Sequence, residues 1–361
     1  MGRTLDAVAQ PSPHEPLPAP SDAPAPAVAA VPRLARHTFT LADGHKVGLA
    51  VAGRGVPLVV VHGYTAEGFL YAQTLHRLVR KGFKVIAIDM AGHGGTQGLP
   101  GGGARLGDYA RLMGRCIDEL GIRKAVTAGH SMGGRVVAQL AALEPDRTIA
   151  TLLIDAIVGD QWDWMVRFFR LAPPLLAMEG AALLVDTLAT VPLATDPGQA
   201  RKLGRLLTPT LVGHALQPWR LIGPAASILR TRGSAGLLDA LAANEVPTFV
   251  IHGELDLVVP VCTARSAATR ANGQLVTVKR AAHSWLLRDP ETLPAIVSQL
   301  LEGRLGEAIR SHLQTAGAET VEELEELLYA PDAPILALTP DHTYSSETAL
   351  HRPPKYEWTI H

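Results

Sequence analysis

The chain is short of several things, and each shortage closes off a class of function. It has two cysteines, Cys116 and Cys262, too few for a disulfide framework. Both sit among apolar residues and are expected to be buried packing residues rather than reactive thiols. It has no excess of charge: 33 basic residues face 34 acidic ones, for a formal net charge of -1. That balance favours neither nucleic acid nor an acidic membrane surface. It has no clean apolar run. The most apolar stretch, Pro173 to Ala194, is interrupted by Glu179, Asp186 and the prolines Pro173, Pro174 and Pro192, which argues against a transmembrane span. No apolar segment follows the first residues as a secretory signal requires. Asp6 stands where N-myristoylation needs Ser or Thr. A cytoplasmic location is expected. No stretch repeats, and no ligand spacing such as H-E-x-x-H is present, so neither a metal nor a cofactor is expected.

What is present suffices for a sizeable core. The 361 residues are 47% hydrophobic, enough for one large α/β domain with an inserted piece, or for two domains. Residues 1–35 read as a disordered arm, because Pro and Ala dominate from about residue 9. His37–Leu41 and Lys46–Ala52 alternate like a hairpin joined at Asp43-Gly44. Pro57–Val61 and Lys84–Asp89 are continuous β-branched runs that suit central parallel strands buried on both faces. A helix is expected between them, from Phe69 to Lys81. A glycine-rich loop, Leu99 to Gly103, leads into another from Leu106 to Leu120. Ala125–Ala128 and Thr151–Asp155 are further strands. The alternation predicts a doubly wound, mostly parallel sheet.

From Asp160 to about Asn244 strands disappear and helices take over, with Trp162, Trp164 and Phe168 crowding the first and Trp219 following later. Alternation resumes with Pro247–Gly253 and Gln274–Val278, then a helix from Glu291 to Leu301. The expected division is therefore a sheet domain over 36–159 and 245–303, a helical lid over 160–244, and a C-terminal extension over 304–361. In the extension, Glu307–Thr315 reads as helical, and Thr320-Val321-Glu322-Glu323 resembles a capping box opening a helix to Tyr329. The last thirty residues show no periodicity.

The chemistry gathers around Gly129-His130-Ser131-Met132-Gly133, a G-x-S-x-G between an apolar strand and a helix over Met132–Leu143. Such a turn strains the serine backbone, exposes its hydroxyl and aims the first helical amide at whatever it attacks. A serine hydroxyl needs a base, and the base needs a partner to hold its tautomer. His283, just after the last strand, is the candidate base. Asp256, just beyond Phe249–His252, is the candidate partner, with Asp155 as the alternative and Glu254 a loop residue. The order Ser131, Asp256, His283 is the one this architecture uses. Oxyanion donors are expected from the backbone amides of Met132 and of Tyr64, in the loop His62-Gly63-Tyr64. His62, His93, His130 and His252 also end strands, and read as turn residues that tie down loops.

These residues together resemble an α/β-hydrolase-fold serine hydrolase, on His62-Gly63-Tyr64, Asp89 with Gly92-His93-Gly94, Gly129 to Gly134, His252-Gly253 with Asp256, and His283. The resemblance covers Arg36 to Gly303. It implies a lid inserted after the strand ending at Asp155. The Ser-Met-Gly-Gly form is similar to that of bacterial esterases, monoacylglycerol-lipase-like enzymes and cofactor-free haloperoxidases that act as perhydrolases. The expected activity is hydrolysis of a small-molecule carboxylic ester with an apolar acyl or alcohol group. Trp162, Trp164, Phe168 and Trp219 are the candidate substrate contacts, and peripheral contact with lipid is allowed. The rival readings are a C–C bond hydrolase, a lactonase or a perhydrolase on the same site, and a non-catalytic binding protein. No arginine pair stands out as a carboxylate clamp. Nothing in the sequence bears on oligomeric state.

Overall fold

The computed structural model describes residues 34–99, 105–192, 196–315, 317, 321–338, 342–343 and 352–361. The arm expected over 1–35 lies outside the described residues as far as residue 33, as do residues 100–103 of the glycine-rich loop and Thr320 of the capping box. Leu34 and Ala35 are buried.

The described chain starts with a hairpin, β1 (Ala35–Thr40) against β2 (Lys46–Ala52). Gly44 turns it at φ +85°, a left-handed conformation that suits glycine. Then come β3 (Val56–Val61), helix α1 (Ala72–Val79), β4 (Phe83–Ile88), α2 (Leu106–Glu119), β5 (Ala125–His130), α3 (Met132–Leu143) and β6 (Thr148–Ile154). Five helices follow without a strand: α4 (Asp160–Leu171), α5 (Pro173–Ala189), α6 (Pro197–Leu216), α7 (Ile222–Arg230) and α8 (Ala235–Ala243). The alternation then returns with β7 (Thr248–Gly253), α9 (Val261–Arg270), β8 (Gln274–Val278), α10 (Trp285–Arg288) and α11 (Thr292–Glu302). The chain finishes with α12 (Arg304–Thr315), α13 (Val321–Leu328), α14 (Pro334–Ala337), β9 (His342–Thr343) and β10 (Trp358–Ile360). Among the described residues no helix is long and apolar enough to cross a membrane.

Across the sheet the order is β10-β8-β7-β6-β5-β3-β4-β2-β1-β9. The six strands from β8 to β4 are parallel, and the outer pairs are antiparallel. Every residue of β3, β4, β5, β6 and β7 is buried, as apolar runs covered on both faces require. The fold is α/β, doubly wound and mostly parallel. After β3 the chain first adds β4 on one side, then β5 on the other. The crevice at the carboxyl ends of β3 and β5 is therefore a switch point, where such sheets receive ligands. Register brings the strand ends level there: Val61 pairs with Gly129, His130 with Ile154, and Ile154 with Ile251.

Two features depart from the sequence reading. Cys262 is exposed, whereas Cys116 is buried and its thiol is pushed up to about 12 by burial. Residue 262 is the second position of α9 and looks outward from a helix that buries Thr263, Ala264, Ala267 and Ala268. The chain's end, with no readable pattern, is a strand: Thr359 pairs with Thr277 and extends the sheet past β8. Three residues are too few for an alternation to show. Their placement comes from distant contacts, such as the Lys355 amide donating to Asp289 Oδ2 at 2.9 Å.

Candidate active site

Ser131 links β5 to α3 with φ 53° and ψ -119°, a strained conformation for a residue with a side chain, costing about 1–3 kcal/mol. Its surroundings hold it there. The Ser131 amide donates to the Ile154 carbonyl at 2.9 Å. Glycine is required on either side: a Cβ on Gly133 would lie 2.2 Å from the Val61 carbonyl oxygen, and one on Gly129 2.3 Å from that of Gly133. Strand and helix can pack this closely only without those side chains.

The loop after β3 passes against this turn. A Cβ on Gly63 would meet the Ser131 Cβ at 3.2 Å. His62 splints the loop. Its Nε2 accepts from the Met90 amide at 2.9 Å and its Nδ1 donates to the Gly63 carbonyl at 2.8 Å, a neutral tautomer favoured because burial pulls its pKa down to about 4. Met132 opens α3, so its amide has no intrahelical acceptor and sits at the positive end of the helix. Among the described residues, neither the Tyr64 nor the Met132 amide donates to another protein group.

His283 lies fully buried after β8. Its Nδ1 donates to Asp256 Oδ2 at 2.7 Å, and its Nε2 has no hydrogen-bond partner. Asp256 is itself anchored, its Oδ1 accepting from the amides of Val258 at 2.9 Å and Val259 at 2.7 Å. Burial alone would lower the imidazole pKa. Asp256, with Asp155 and Asp186 behind it, outweighs burial and pushes it up to about 9. Burial would conversely raise Asp256, but His283 holds it below the usual carboxylate range.

Ser131, Tyr64 and Met132 open onto one cavity of about 320 Å³. Trp162 of α4, Leu176 and Leu183 of α5 and Ile228 of α7 supply much of its apolar wall. The chemistry such a site supports is acyl transfer: a strained serine, a histidine oriented by a carboxylate, and two unengaged amides on residues that line an apolar chamber.

A family profile described as serine aminopeptidase, S33 (Hydrolase_4) matches residues 56–291. The chain belongs to this α/β-hydrolase family. The hydrolase is 34% identical over 268 residues to a protein of Mycobacterium phage D29 named as a non-heme haloperoxidase, covering 73% of this chain and 94% of that one. It is 28% identical over 274 residues to a non-heme chloroperoxidase of Streptomyces lividans, covering 71% and 96%. Its fold resembles that of a thermophilic esterase from Thermogutta terrifontis, with a TM-score of 0.57, 22% identity, and 74% and 98% of the two chains covered.

The sequence put two carboxylates beside the histidine, and the hydrolase separates their positions. Asp155 accepts from the Gly253 amide at 2.8 Å and from Trp285 Nε1 at 2.7 Å, which makes it a strut between β6, β7 and α10. Burial, and then Asp256, raise its pKa well above the carboxylate range. Glu254 is exposed. Asp155, His252 and Asp256 approach closely enough to surround a cation. Yet all four carboxylate oxygens already accept from N–H groups, so an ion would have to displace bonds that hold the loops. His252 fastens its own loop, Nε2 donating to the Val259 carbonyl at 2.7 Å.

The four aromatic candidates part company. Trp162 is buried and lines the cavity, but Trp164, Phe168 and Trp219 are exposed and do not. Helix phase explains the first two: at about 100° per residue, Trp162, Val166 and Phe169 share the inner face of α4, while Trp164 and Phe168 share the outer one. Those two stack on each other, ring centroids 4.1 Å apart.

Further neighbours brace the site, among them His130, which ties down a loop as the sequence reading expected. His130 receives the Tyr71 hydroxyl at Nδ1, 3.0 Å, and donates from Nε2 to the His283 carbonyl at 3.1 Å. Burial lowers its pKa to about 3, so it serves as a neutral bridge from the elbow to the His283 loop. Asp186 of α5 accepts from the Ser284 amide at 2.8 Å. His130 had a signal, lying next to Ser131. Tyr71, Asp186 and Trp285 had none, since their partners lie far away in the chain.

Proposed function

We propose that this hydrolase cleaves small carboxylic esters bearing an apolar acyl or alcohol group. The observation that carries the reading is the 2.7 Å contact of His283 Nδ1 with Asp256, which leaves Nε2 unpartnered, while the elbow serine Ser131 opens onto an apolar cavity. Ser131 Oγ attacks the ester carbonyl while His283 Nε2 takes its proton. Asp256 fixes the ring and stabilises the imidazolium. The amides of Tyr64 and Met132 receive the oxyanion, each such donor being worth roughly a hundredfold or more in rate. Collapse expels the alcohol, protonated by His283. A water deprotonated by His283 then attacks the acyl-enzyme and releases the acid.

The apolar lining supports an ester over a carboxylate-bearing C–C substrate, because among the described residues no arginine lines the cavity. The names of the curated relatives support a second outcome for the same acyl-enzyme: hydrogen peroxide replaces water and a peracid leaves. We place the reaction in the cytoplasm, and propose that the exposed apolar side chains of α4 to α6 allow peripheral contact with lipid. The test is labelling by a fluorophosphonate in wild type and Ser131→Ala, followed by p-nitrophenyl esters of increasing chain length with and without peroxide. Labelling that needs Ser131, with ester turnover, supports the reading. A folded wild type that does not label removes it and leaves a binding protein on a hydrolase fold.

A further inference from the structure

Among the described residues lining the cavity above Ser131, Glu179 alone carries a carboxyl group. It arrives with Leu176, Gly180 and Leu183, the positions that one face of α5 turns toward the chamber. One of its oxygens, Oε1, is withdrawn from solvent and has no hydrogen-bond partner among the described residues. The triad does not use this group. An unpaired buried carboxyl oxygen is costly to keep, so the position makes sense when something entering the cavity supplies a donor.

The chemistry of that donor is narrowed by the surroundings. An ammonium brings three N–H bonds and a full charge; in a chamber with a single carboxyl and apolar walls, it would leave donors unpaired. A hydroxyl needs only one or two partners, which one carboxyl satisfies. The electrostatics agree. Burial, reinforced by the charge of Asp256 and opposed by His283, brings the Glu179 carboxyl up to about 7. It therefore spends time both as donor and as acceptor, which matches a hydroxyl in either role.

We propose that Glu179 is a specificity-determining residue that hydrogen-bonds a substrate hydroxyl, so that the preferred esters carry a hydroxyl group on an otherwise apolar chain. This rests on the reading of Ser131 as the nucleophile. The chamber has room for about ten water-sized groups, which favours a short hydroxyalkyl ester over a long one.

The test compares matched pairs of short esters, hydroxyalkyl against alkyl of equal length, in wild type, Glu179→Gln and Glu179→Leu. The readout is the ratio of kcat/KM within each pair, which a general loss of folding or of catalysis does not change. Wild type is expected to favour the hydroxylated ester by roughly ten- to a hundredfold, the worth of a buried hydrogen bond to a carboxylate. Glu179→Leu is expected to abolish or invert that preference, and Glu179→Gln, which keeps an acceptor and a donor, to retain part of it. A ratio that is the same in all three proteins, or a wild type that favours the alkyl ester, overturns the proposal. Fluorophosphonate labelling of wild type at Ser131 separates the two levels. Labelling with an unchanged ratio removes only the role of Glu179, whereas absent labelling removes the nucleophile and the proposal with it.

Discussion

The sheet and the five helices that interrupt it treat apolar side chains in opposite ways. In β3 to β7 no residue is exposed. In the helices between β6 and β7, Leu171, Met178, Val185, Leu188, Leu216, Trp219 and Ile222 all face solvent. The cause is geometric. Each of these strands is a short run covered on both faces, so every position finds a partner. Helix α5 carries apolar residues around its circumference but packs on one side only, so most of them stay exposed, and of its larger apolar side chains only Leu176 and Leu183 are part-buried. The glycines repeat the contrast. A Cβ at Gly129 or Gly133 collides with backbone, whereas at Gly204 or Gly213 of α6 it meets nothing within 4 Å. Strained, reactive geometry is kept where packing is saturated, and the loosely packed helices supply the cavity wall. On the proposed reading, chemistry belongs to the first region and substrate choice to the second.

The largest effect should come from breaking the saturated side at its centre. Ser131→Ala is expected to cut ester turnover by on the order of ten-thousandfold or more and to abolish fluorophosphonate labelling, while the thermal midpoint stays or rises because the side chain at the strained site is smaller. Retained turnover would move the nucleophile elsewhere.

A second comparison uses one substitution in both regions. Gly133→Ala drives a Cβ into the Val61 and His62 carbonyls, and should destabilise the protein by about 3 kcal/mol or more. Gly204→Ala, mid-helix and unobstructed, should stabilise it by about 0.5–1 kcal/mol. Urea midpoints read both. The same sign at both sites would mean that the packing difference carries no energetic weight.

The pH profile sharpens the electrostatic half of the contrast. The pKa of His283 is raised to about 9 by the carboxylates around it, Asp256 foremost, against the opposing effect of burial. Only neutral imidazole accepts the Ser131 proton, so kcat/KM should fall as pH drops through that value, on a limb above the ordinary 6.5 of histidine. Asp186→Asn keeps an acceptor for the Ser284 amide and removes one negative charge, so the limb should move toward lower pH. A limb that stays put would exclude α5 from tuning the base.

The same contrast explains what could be read from the sequence. Met132–Leu143 was legible residue for residue, and so was the choice of Asp256 as the carboxylate that meets His283. Strand ends and glycine spacing are local, and register does the rest by bringing Val61, Gly129 and Ile154 level. In the helices the local signal fails. Trp164 and Phe168 looked like Trp162 by composition, and only the phase of α4 set them outside. Glu179 looked like an interruption of an apolar run. Its meaning depends on α5 lying over Ser131, 48 positions earlier in the chain, and an evenly apolar helix gives no direction from which to infer that. The final strand was too short to show a period at all.

The smallest effect expected lies on the exposed apolar surface. Trp219 is 63% exposed and follows Leu216, which is 70% exposed. Both stand outside the cavity, so Trp219→Ser should change stability by less than about 0.5 kcal/mol and leave turnover of a water-soluble short ester as it was. If this face touches lipid, the change should instead weaken sedimentation with neutral phosphatidylcholine vesicles, because removing an indole from an interface costs apolar burial. Neutral vesicles are the appropriate probe, since a chain with a formal net charge of -1 has no general attraction to anionic lipid. Equal sedimentation of wild type and Trp219→Ser, or none by either, would leave the apolar faces of α5 and α6 as unfilled packing surface. The second region would then differ from the first in saturation alone, with no lipid partner to account for it.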